Sequence, residues 1–333
     1  MKTKKINRAM NGFRLMAALC AVLLATTAFS ARAQTLEPLR FMPHWVPQAQ
    51  FAGFYMAQQK GFYIDQGLAV EILPGGPESD PVQLLADGEV DVCTTFLSTA
   101  LKARGDGAPV VNIGQIVQRS ALLLVTRASS GIRSPADMDG RVVTIWPFFD
   151  LQPRALFKKF NVKPVIIPQL YSFNLFLRGG ADVASAMWYN EYHQLLNAGL
   201  NDEELRVFRY DEYGLNFPED GVYCTEQMLK ERPETCRRFM RAAATGWLYA
   251  FEHPDETLDV IMARVQEANV PTTRVHQRWM LEKIKDLVLP EGGNSKIGLL
   301  PEEEYFRVAE AMVDAGMLTT IVPYNEFYEN CAQ

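Results

Sequence analysis

Two stretches of the chain carry the same order of apolar and polar positions. Residues 83–96 (QLLADGEVDVCTTF) and 174–188 (NLFLRGGADVASAMW) each combine the apolar end of a helix, a glycine stop, an aspartate and a short buried strand. A β-rich segment, an amphipathic helix and a second strand precede each stretch, with the strand segments at 39–45, 70–73, 141–146 and 165–167. This strand–helix–strand–helix–strand order, present twice, predicts an α/β protein with two lobes, each built on a mainly parallel sheet flanked by helices.

Apolar runs between and after the repeats predict how the two lobes are joined. Residues 121–126 form a strand that crosses from the first lobe to the second, and residues 220–224 form the matching return. The rest of the chain has a mainly helical pattern, with proline at four predicted helix starts: Pro233, Pro254, Pro271 and Pro301. We therefore expect lobe 1 to comprise residues 34–125 and 222–333 and lobe 2 to comprise residues 126–221, with the two connections acting as a hinge.

The N-terminus has the layout of a secretory signal peptide. A basic segment, residues 1–14, precedes an uncharged apolar run from Leu15 to Phe29, and small residues at Ala31 and Ala33 precede the predicted cleavage point. The apolar run is shorter than the ~20 residues of a membrane-spanning helix, although an uncleaved anchor is the alternative. We expect cleavage after Ala33 and export of a soluble protein.

Charge and composition exclude several classes of protein. Of 333 residues, 48% are apolar and 22% are charged, which excludes wholesale disorder. The first 33 residues hold six basic residues and no acid, so the remainder has 27 basic against 39 acidic residues, a formal charge of −12. Such a surface is a poor counterion for phosphate backbones, so we expect no nucleic acid as a partner.

Four cysteines follow the predicted signal peptide: Cys93, Cys224, Cys236 and Cys331. An exported protein can form disulfides, and Cys224 with Cys236 is the most local of the possible pairs. Buried free thiols are the equal alternative. Because no Cys-x-x-Cys spacing exists, neither a zinc knuckle nor a redox motif is predicted, and we expect no cofactor.

No constellation typical of an enzyme is apparent. The four histidines form no metal-binding pair, and the chain has neither a Gly-x-Ser-x-Gly elbow nor a Walker-type lysine loop. The common hydrolytic and nucleotide-dependent mechanisms are therefore not predicted.

Tryptophans lie instead at predicted strand ends. Trp45 precedes Pro47, Trp146 precedes Pro147, and Trp188 ends the third strand of lobe 2 and is followed by Tyr189. The carboxyl ends of parallel strands are where α/β proteins bind ligands. Aromatic faces from two lobes would sandwich a flat ring, with stacking worth ~1–3 kcal/mol per ring, whereas core packing is the alternative for each tryptophan.

Polar candidates accompany these aromatic residues. Glu191 lies in the first turn of a predicted helix, where it either accepts hydrogen bonds from a ligand amine or stabilises the helix dipole. Ser79 and Ser98 lie at predicted helix starts, where capping is the alternative to ligand binding. Asp220, at the return connection, either faces the cleft or caps a turn.

Several short segments of the chain form a recognisable set. In the predicted first lobe they are 53–57 (GFYMA), 60–63 (KGFY), 66–68 (QGL), 70–71 (VE) and the 75–76 glycine pair, and in the predicted second lobe the segment is 188–192 (WYNEY). Together they resemble the ABC-transporter solute-binding proteins of the NMT1/THI5-like group, which includes binding proteins for thiamine pyrimidine precursors. The 188–192 segment is similar to the tyrosine/glutamate signature of the pyrimidine binders.

The resemblance implies a two-lobe fold of the type II periplasmic-binding class, a periplasmic location and delivery of the ligand to a membrane permease by a monomer. It also implies that an aminopyrimidine stacks on Trp45 and Tyr189, and that Glu191 accepts a hydrogen bond from the amine of this ligand. Trp146 and Trp188 would lie nearby. Relatives also bind riboflavin, sulfonates or other small organic solutes.

The alternative to a binding protein is a secreted or periplasmic enzyme, because the same superfamily contains a pyrimidine synthase. That enzyme consumes its own histidine and carries a cysteine-rich iron-binding run. Here Leu97 stands at the matching position of the histidine, and the cysteine-rich run is absent. We therefore expect no enzymatic activity.

Overall fold

The computed structural model describes residues 35–147, 149–169, 172–290 and 296–333. The predicted signal peptide, residues 1–33, lies outside the described residues. The strands are β1 (Glu37–Met42), β2 (Leu68–Ile72), β3 (Val92–Phe96), β4 (Val110–Gln115), β5 (Leu122–Arg127), β6 (Val142–Ile145), β7 (Val165–Pro168), β8 (Val183–Met187), β9 (Leu205–Arg209) and β10 (Asp220–Thr225).

The ten strands form two five-stranded sheets. The first has the order β2-β1-β3-β10-β4 and the second the order β7-β6-β8-β5-β9. In each sheet the three strands of one repeat pair in parallel, β1 with β2 and β3, and β6 with β7 and β8. One strand of each sheet, β10 or β5, runs antiparallel to both neighbours. The predicted α/β class and the mainly parallel direction of both sheets are thereby confirmed.

The connections between the sheets differ from the expected positions. The predicted crossing strand, 121–126, lies almost wholly in β5, where it pairs with β8 and β9 of the second sheet. The predicted return, 220–224, lies in β10 of the first sheet. The chain therefore changes sheet ahead of each strand, in segments 116–121 and 210–219.

Hydrogen bonds join these two connecting segments into one ribbon. The Val117 N–H donates to the Asp220 carbonyl oxygen at 3.0 Å, and the Glu219 N–H donates to the Val117 carbonyl oxygen at 3.2 Å. The Oε1 atom of Glu219 accepts from the N–H groups of Ala121 and Leu122 at 2.7 and 3.1 Å. Because only these two segments link the strands of the two sheets, the ribbon is the natural place for bending.

Helices cover the sheets and fill the C-terminal part of the chain. They are α1 (Ala52–Gln59), α2 (Phe62–Asp65), α3 (Pro81–Ala86), α4 (Leu97–Gly105), α5 (Leu151–Phe160), α6 (Asn174–Leu177), α7 (Glu191–Asn197), α8 (Glu226–Glu231), α9 (Pro233–Glu252), α10 (Pro254–Glu267), α11 (Arg274–Val288), α12 (Glu302–Asp314) and α13 (Tyr324–Phe327). None of the helices in the described ranges is long and apolar enough to cross a bilayer.

Proline marks three of the four predicted helix starts. Pro233 and Pro254 open α9 and α10, and Pro301 directly precedes α12. The start predicted at Pro271 is wrong, because α11 begins at Arg274 after Thr273, whose side chain accepts from the His276 N–H. A capping side chain therefore decides this boundary instead of the proline.

Two glycines let α1 and α9 approach closely. A Cβ added at Gly53 would lie 2.2 Å from the Trp247 indole, and one added at Gly246 would lie 2.1 Å from the Gly53 carbonyl oxygen. Trp247 is fully buried in the core of the first sheet and its helices. The absence of side chains at these positions is what lets the tryptophan fill the space between the helices.

The four cysteines within the described ranges are buried free thiols. The Sγ atoms of Cys224 and Cys236 lie 3.9 Å apart, against about 2.05 Å in a disulfide. In the structure Cys224 and Cys236 are therefore free thiols and do not form a disulfide.

Candidate functional site

A cavity of about 520 Å³ lies between elements of the two sheets. Its volume falls in the ~300–1,000 Å³ range of small-molecule sites. Its wall contains the last residues of β3 and β8, residues that follow β1, β6 and β8, one face of α7, and the segment that leads into α11 with the first turn of that helix. These residues are His44, Trp45, Val46, Gln48, Gln50, Phe96, Trp146, Phe149, Met187, Tyr189, Asn190, Glu191, Gln194, Asn197, Val270, Pro271, Thr272, Thr273, His276 and Gln277.

Four of the predicted site residues meet in this cavity. Trp45 lies just after the carboxyl end of β1, Trp146 directly follows β6, and Tyr189 lies two residues after β8. The Trp146 backbone N–H donates to the Ser185 hydroxyl at 3.1 Å, which ties the turn to the neighbouring strand. Glu191 completes the group. Aromatic faces from both sheets therefore border the same space.

Trp188 does not line the cavity, contrary to expectation. The Arg209 guanidinium and the Lys283 ammonium lie 4.2 and 4.7 Å from the centre of its ring, and its carbonyl oxygen accepts from the Trp279 indole N–H at 3.0 Å. Successive side chains at the end of a strand point in opposite directions. Tyr189 therefore faces the cavity while Trp188 faces away from it.

Glu191 combines a structural contact with a place in the cavity wall. It is the first residue of α7, and its Oε2 accepts from the Met187 N–H at 2.8 Å while its Oε1 accepts from the Asn190 side-chain amide at 3.3 Å. Burial raises the pKa of Glu191 to about 7, although the backbone hydrogen bond from Met187 opposes this shift. Both the acid and the carboxylate are therefore populated at neutral pH. The remaining lone pairs are able to accept from a ligand donor.

Asp220 lies behind the wall and reaches the cavity through two side chains that line it. Its Oδ2 accepts from the Gln50 side-chain amide at 2.8 Å, and its Oδ1 lies 3.8 Å from His44 Nε2. The Asp220 carboxyl is nearly fully buried, which raises its pKa to about 7, while the hydrogen bond from Gln50 opposes the shift. Asp220 therefore orients the polar part of the wall without forming that wall.

The His44 ring is held in a defined orientation. Thr94 Oγ1 accepts from the His44 backbone N–H at 3.0 Å and lies 2.9 Å from His44 Nδ1. Because the threonine hydroxyl has its own proton to donate, Nδ1 acts as the acceptor and Nε2 carries the hydrogen towards Asp220. Burial lowers the pKa of His44 to about 3, so the ring is neutral.

The two candidate serines lie outside this cavity. Ser98 is in the first turn of α4 and lines a separate, smaller cavity of about 30 Å³. Ser79 lies in the loop before α3, where Asp80 is the capping residue and accepts from the N–H groups of Val82 and Gln83. Ser79 is absent from the residues that line either cavity.

A cluster at the rim of the cavity, missed by the sequence analysis, joins α7 to α11. We call the side chains of Asn190, His193, His276 and Trp279 the rim cluster. The two histidine Nδ1 atoms lie 2.8 Å apart, His276 Nε2 lies 2.9 Å from Asn190 Oδ1, and the His193 ring stacks on Trp279 at 4.8 Å. One Nδ1 must donate and the other accept, so the contact requires at least one neutral imidazole. Burial lowers the pKa of both histidines, that of His276 to about 4.

The sequence held one signal for the remaining wall residues. His44, Gln48 and Gln50 lie near Trp45 within eight residues of the end of β1, where polar side chains are expected at a ligand site. The segment before α11 had no comparable signal, because its place in the wall depends on packing, including the Ala49 N–H that donates to the Gln277 side chain at 2.7 Å. No group of three or more metal-ligating side chains occurs in the ranges that the structure describes.

Two five-stranded α/β sheets, joined by two connections and bordering an aromatic cavity, define a two-lobe protein of the periplasmic-binding type. The family profile described as NMT1/THI5 like matches residues 48–257, more than half of the chain. The chain belongs to this family, and the resemblance stated above is confirmed.

Known proteins similar to the chain include binding proteins and enzymes. The formylaminopyrimidine-binding protein of Halalkalibacterium halodurans is 26% identical over 85% of this chain and 90% of that protein. The riboflavin-binding protein RibY of Chloroflexus aurantiacus is 24% identical over 92% and 89%. A 4-amino-5-hydroxymethyl-2-methylpyrimidine phosphate synthase of Saccharomyces cerevisiae is 22% identical over 66% and 68%.

Among solved structures, the periplasmic aliphatic sulphonate binding protein SsuA from Escherichia coli has the same fold. It matches with a TM-score of 0.69 at 14% identity and covers 89% of this chain and 93% of its own. This likeness supports the two-lobe fold alone.

Proposed function

We propose that the protein is the exported solute-binding component of an ABC importer, and that it holds a small planar nitrogen heterocycle for delivery to a membrane permease. A thiamine pyrimidine precursor is the favoured ligand. The observation that carries the proposal is the convergence of Trp45, Trp146, Tyr189 and Glu191 on one cavity between the two sheets. The similarity to a formylaminopyrimidine-binding protein supports the same class of ligand.

In this proposal the aromatic side chains bind the faces of the ring and Glu191 binds its edge. Stacking on indole or phenol is worth ~1–3 kcal/mol per ring and selects for planarity. The partly buried Glu191 carboxylate needs a donor to offset its desolvation, so it selects for an exocyclic amine or a ring N–H. His44 and Gln48, which line the cavity from the segment after β1, supply further polar contacts to the ligand.

Closure around the ligand is the proposed mechanism. A ligand in contact with residues of both sheets shifts the population towards the closed form, with bending in the ribbon of segments 116–121 and 210–219. The rim cluster connects α7 to α11 at the edge of the cavity, so it forms only when these helices are close. The closed form, as a monomer in the periplasm, would then dock on the permease.

Binding without turnover fits the chemistry of the wall. His44 is a weak base, since burial lowers its pKa to about 3, and Leu97 at the start of α4 is a fully buried aliphatic residue. The similarity to a pyrimidine phosphate synthase makes enzymatic activity the alternative that an experiment must exclude.

Thermal-shift measurements test the proposal. The probes are 4-amino-5-hydroxymethyl-2-methylpyrimidine, riboflavin and an alkanesulfonate, all at the same concentration. A ligand present at about 100 times its Kd stabilises the folded protein by about 2.7 kcal/mol. We expect the pyrimidine to shift the melting temperature and to be recovered unchanged by mass spectrometry. Recovery of a chemically altered product would favour an enzyme, and the lack of a shift with the pyrimidine would reject the proposed ligand.

Two variants locate the site. Trp45→Leu should weaken pyrimidine binding about 5- to 150-fold, since it removes one stacking face. Ser79→Ala, outside the cavity, is the matched control and should bind as the wild type does. Equal affinity of both variants would place the ligand elsewhere.

A further inference from the structure

Asn190 stands at the start of α7, yet its side chain does not cap that helix. Asparagine is favoured at this position because its side-chain oxygen accepts from the free N–H groups of the first turn. Among the residues that the structure describes, the Asn190 side chain makes no such capping hydrogen bond. Its amide group instead contacts the side chains of Gln194, His276 and Glu191. The polar capacity of this residue is therefore directed at the cavity wall.

The contacts of Asn190 fix the direction in which its amide points. Asn190 Oδ1 accepts from the Gln194 side-chain amide at 3.1 Å and lies 2.9 Å from His276 Nε2. Because a carbonyl oxygen can only accept, His276 Nε2 carries a hydrogen, whichever histidine donates in the contact between the two Nδ1 atoms. The NH₂ group of Asn190 is thereby turned towards Glu191 Oε1, to which it donates at 3.3 Å.

The hydrogen bond between His276 and Asn190 joins two walls of the cavity. Asn190 directly precedes α7, which follows β8 of the second sheet, and His276 lies in the first turn of α11. The start of α11 is tied to the segment after β1 of the first sheet, because the Ala49 N–H donates to the Gln277 side chain at 2.7 Å. Both Asn190 and His276 line the cavity. Their hydrogen bond is therefore lost when these two walls separate.

We propose that His276 is a positioning residue, which acts through Asn190 to orient the Glu191 carboxylate for the ligand. We call His276, Asn190 and Glu191 the relay. The inference rests on the proposed function, in which Glu191 accepts from an amine or a ring N–H. The Met187 N–H holds Oε2 of Glu191 at 2.8 Å, and the Asn190 amide holds Oε1. Two donors fix the plane of the carboxylate, whereas a single donor leaves it free to rotate about one hydrogen bond.

The relay makes closure part of ligand recognition. With the two walls apart, His276 is withdrawn from Asn190, and the Asn190 amide is free to turn away from Glu191. Closure restores the contact, so the ligand meets a carboxylate that is already oriented, and less side-chain freedom is lost on binding. A ligand with a donor for Glu191 therefore gains affinity from closure that a ligand without such a donor does not gain.

A double-mutant cycle tests the relay, with isothermal titration of 4-amino-5-hydroxymethyl-2-methylpyrimidine as the readout. His276→Phe keeps a planar ring and removes the donor to Asn190. It should weaken binding about 10-fold in the wild-type background but about 3-fold or less in the Glu191→Gln background, where no carboxylate remains to be oriented. The part of the effect that persists in Glu191→Gln measures the contribution of His276 to closure alone.

Two further variants examine the relay from either end. His276→Gln should restore most of the affinity lost in His276→Phe, because its NH₂ group can donate to Asn190 Oδ1. Asn190→Ala removes the middle of the relay and should repeat the pattern of His276→Phe in both backgrounds. Because Asn190→Ala leaves the ring of His276 in place, it also tests the relay if His276→Phe does not fold.

Lys283→Met is the matched control, because it removes another contact between α11 and the segment around α7. The Lys283 ammonium lies 4.7 Å from the centre of the Trp188 ring and 4.8 Å from that of Trp279. This contact does not involve Glu191. Its loss should therefore change the affinity by the same factor in the wild-type and Glu191→Gln backgrounds.

Each outcome decides between the proposals. Equal factors for His276→Phe in the two backgrounds, or binding by His276→Gln as weak as that by His276→Phe, would overturn the relay and leave the proposed function standing. His276 would then act by packing or by direct contact with the ligand. A wild type that does not bind the pyrimidine would overturn the proposed function and the relay together.

Discussion

Replacement of Glu191 by glutamine tests the role of its carboxylate in ligand recognition. The amide oxygen of the variant can keep the hydrogen bond from the Met187 N–H, so the start of α7 should be preserved. The second oxygen becomes an NH₂ donor, which cannot accept from a ligand amine. The loss of a hydrogen bond to a charged group is worth ~1–3 kcal/mol, which corresponds to about 5- to 150-fold weaker binding of 4-amino-5-hydroxymethyl-2-methylpyrimidine.

The pKa of Glu191 adds a dependence on pH with a definite sign. Burial places this pKa at about 7, and an amine donor favours the ionised form, so affinity should be complete above pH 7 and fall as the pH drops through it. The ionised fraction changes about 10-fold between pH 8 and pH 6. The wild type should lose about that factor in affinity, whereas Glu191→Gln should lack this contribution.

Isothermal titration at pH 6, 7 and 8 measures both effects. Titration of the ligand, of Asp220 and of Glu219 affects wild type and variant alike, so the difference between their pH profiles belongs to Glu191. Equal affinity of the two proteins at pH 8, or identical pH profiles, would refute the assigned role.

Three further variants test other features of the structure. Trp279→Phe keeps an aromatic ring, though a smaller one, and removes the indole N–H donor to the Trp188 carbonyl, so ligand dissociation in stopped-flow measurements should accelerate about 2- to 10-fold. An unchanged rate would exclude this contact from closure. Gly53→Ala should lower the free energy of unfolding by about 1–3 kcal/mol in urea titrations, because its Cβ would overlap the Trp247 indole, and unaltered stability would contradict this packing. The folded Glu219 carboxyl has a pKa of about 8, above its unfolded value, so the stability that it contributes at low pH is lost as the pH rises through 8. In the wild type this one group lowers the free energy of unfolding by at most ~1.4 kcal/mol per pH unit, so the melting temperature should fall less between pH 5 and 8 in Glu219→Gln than in the wild type. Parallel curves of melting temperature against pH would contradict the shift.

The repeated pattern predicted the parallel strands of both sheets because a βαβ unit is encoded locally. Each strand, helix and glycine stop falls within a few dozen residues, so its hydrophobic order is readable along the chain. The points at which the chain changes sheet were not readable. The apolar run 121–126 has no feature that assigns it to one sheet or the other. Only the pairing of β5 with the distant strands β8 and β9 decides where the second sheet begins.

The rule that ligands bind at the carboxyl ends of parallel strands selected residues that share one cavity. Trp45, Trp146 and Tyr189 follow parallel strands and meet in the cavity. Trp188 was wrongly expected in the cavity wall, because adjacent side chains of a strand point to opposite sides. Which of two neighbouring residues faces the cavity depends on where β8 ends. His276 and Thr272 were missed because packing of the C-terminal helices brings them to the wall from more than 200 residues beyond β1.

The central position of β10 in the first sheet bears on the order in which the chain folds. The second sheet is built from one continuous segment, β5 to β9, so all of its strands are present once the chain has been made as far as Arg209. The first sheet has a vacancy between β3 and β4 until residues 220–225 arrive to fill it. In a nascent chain that emerges N-terminus first, two strand edges therefore stand open across this gap, and they are the places where a foreign strand would cause aggregation.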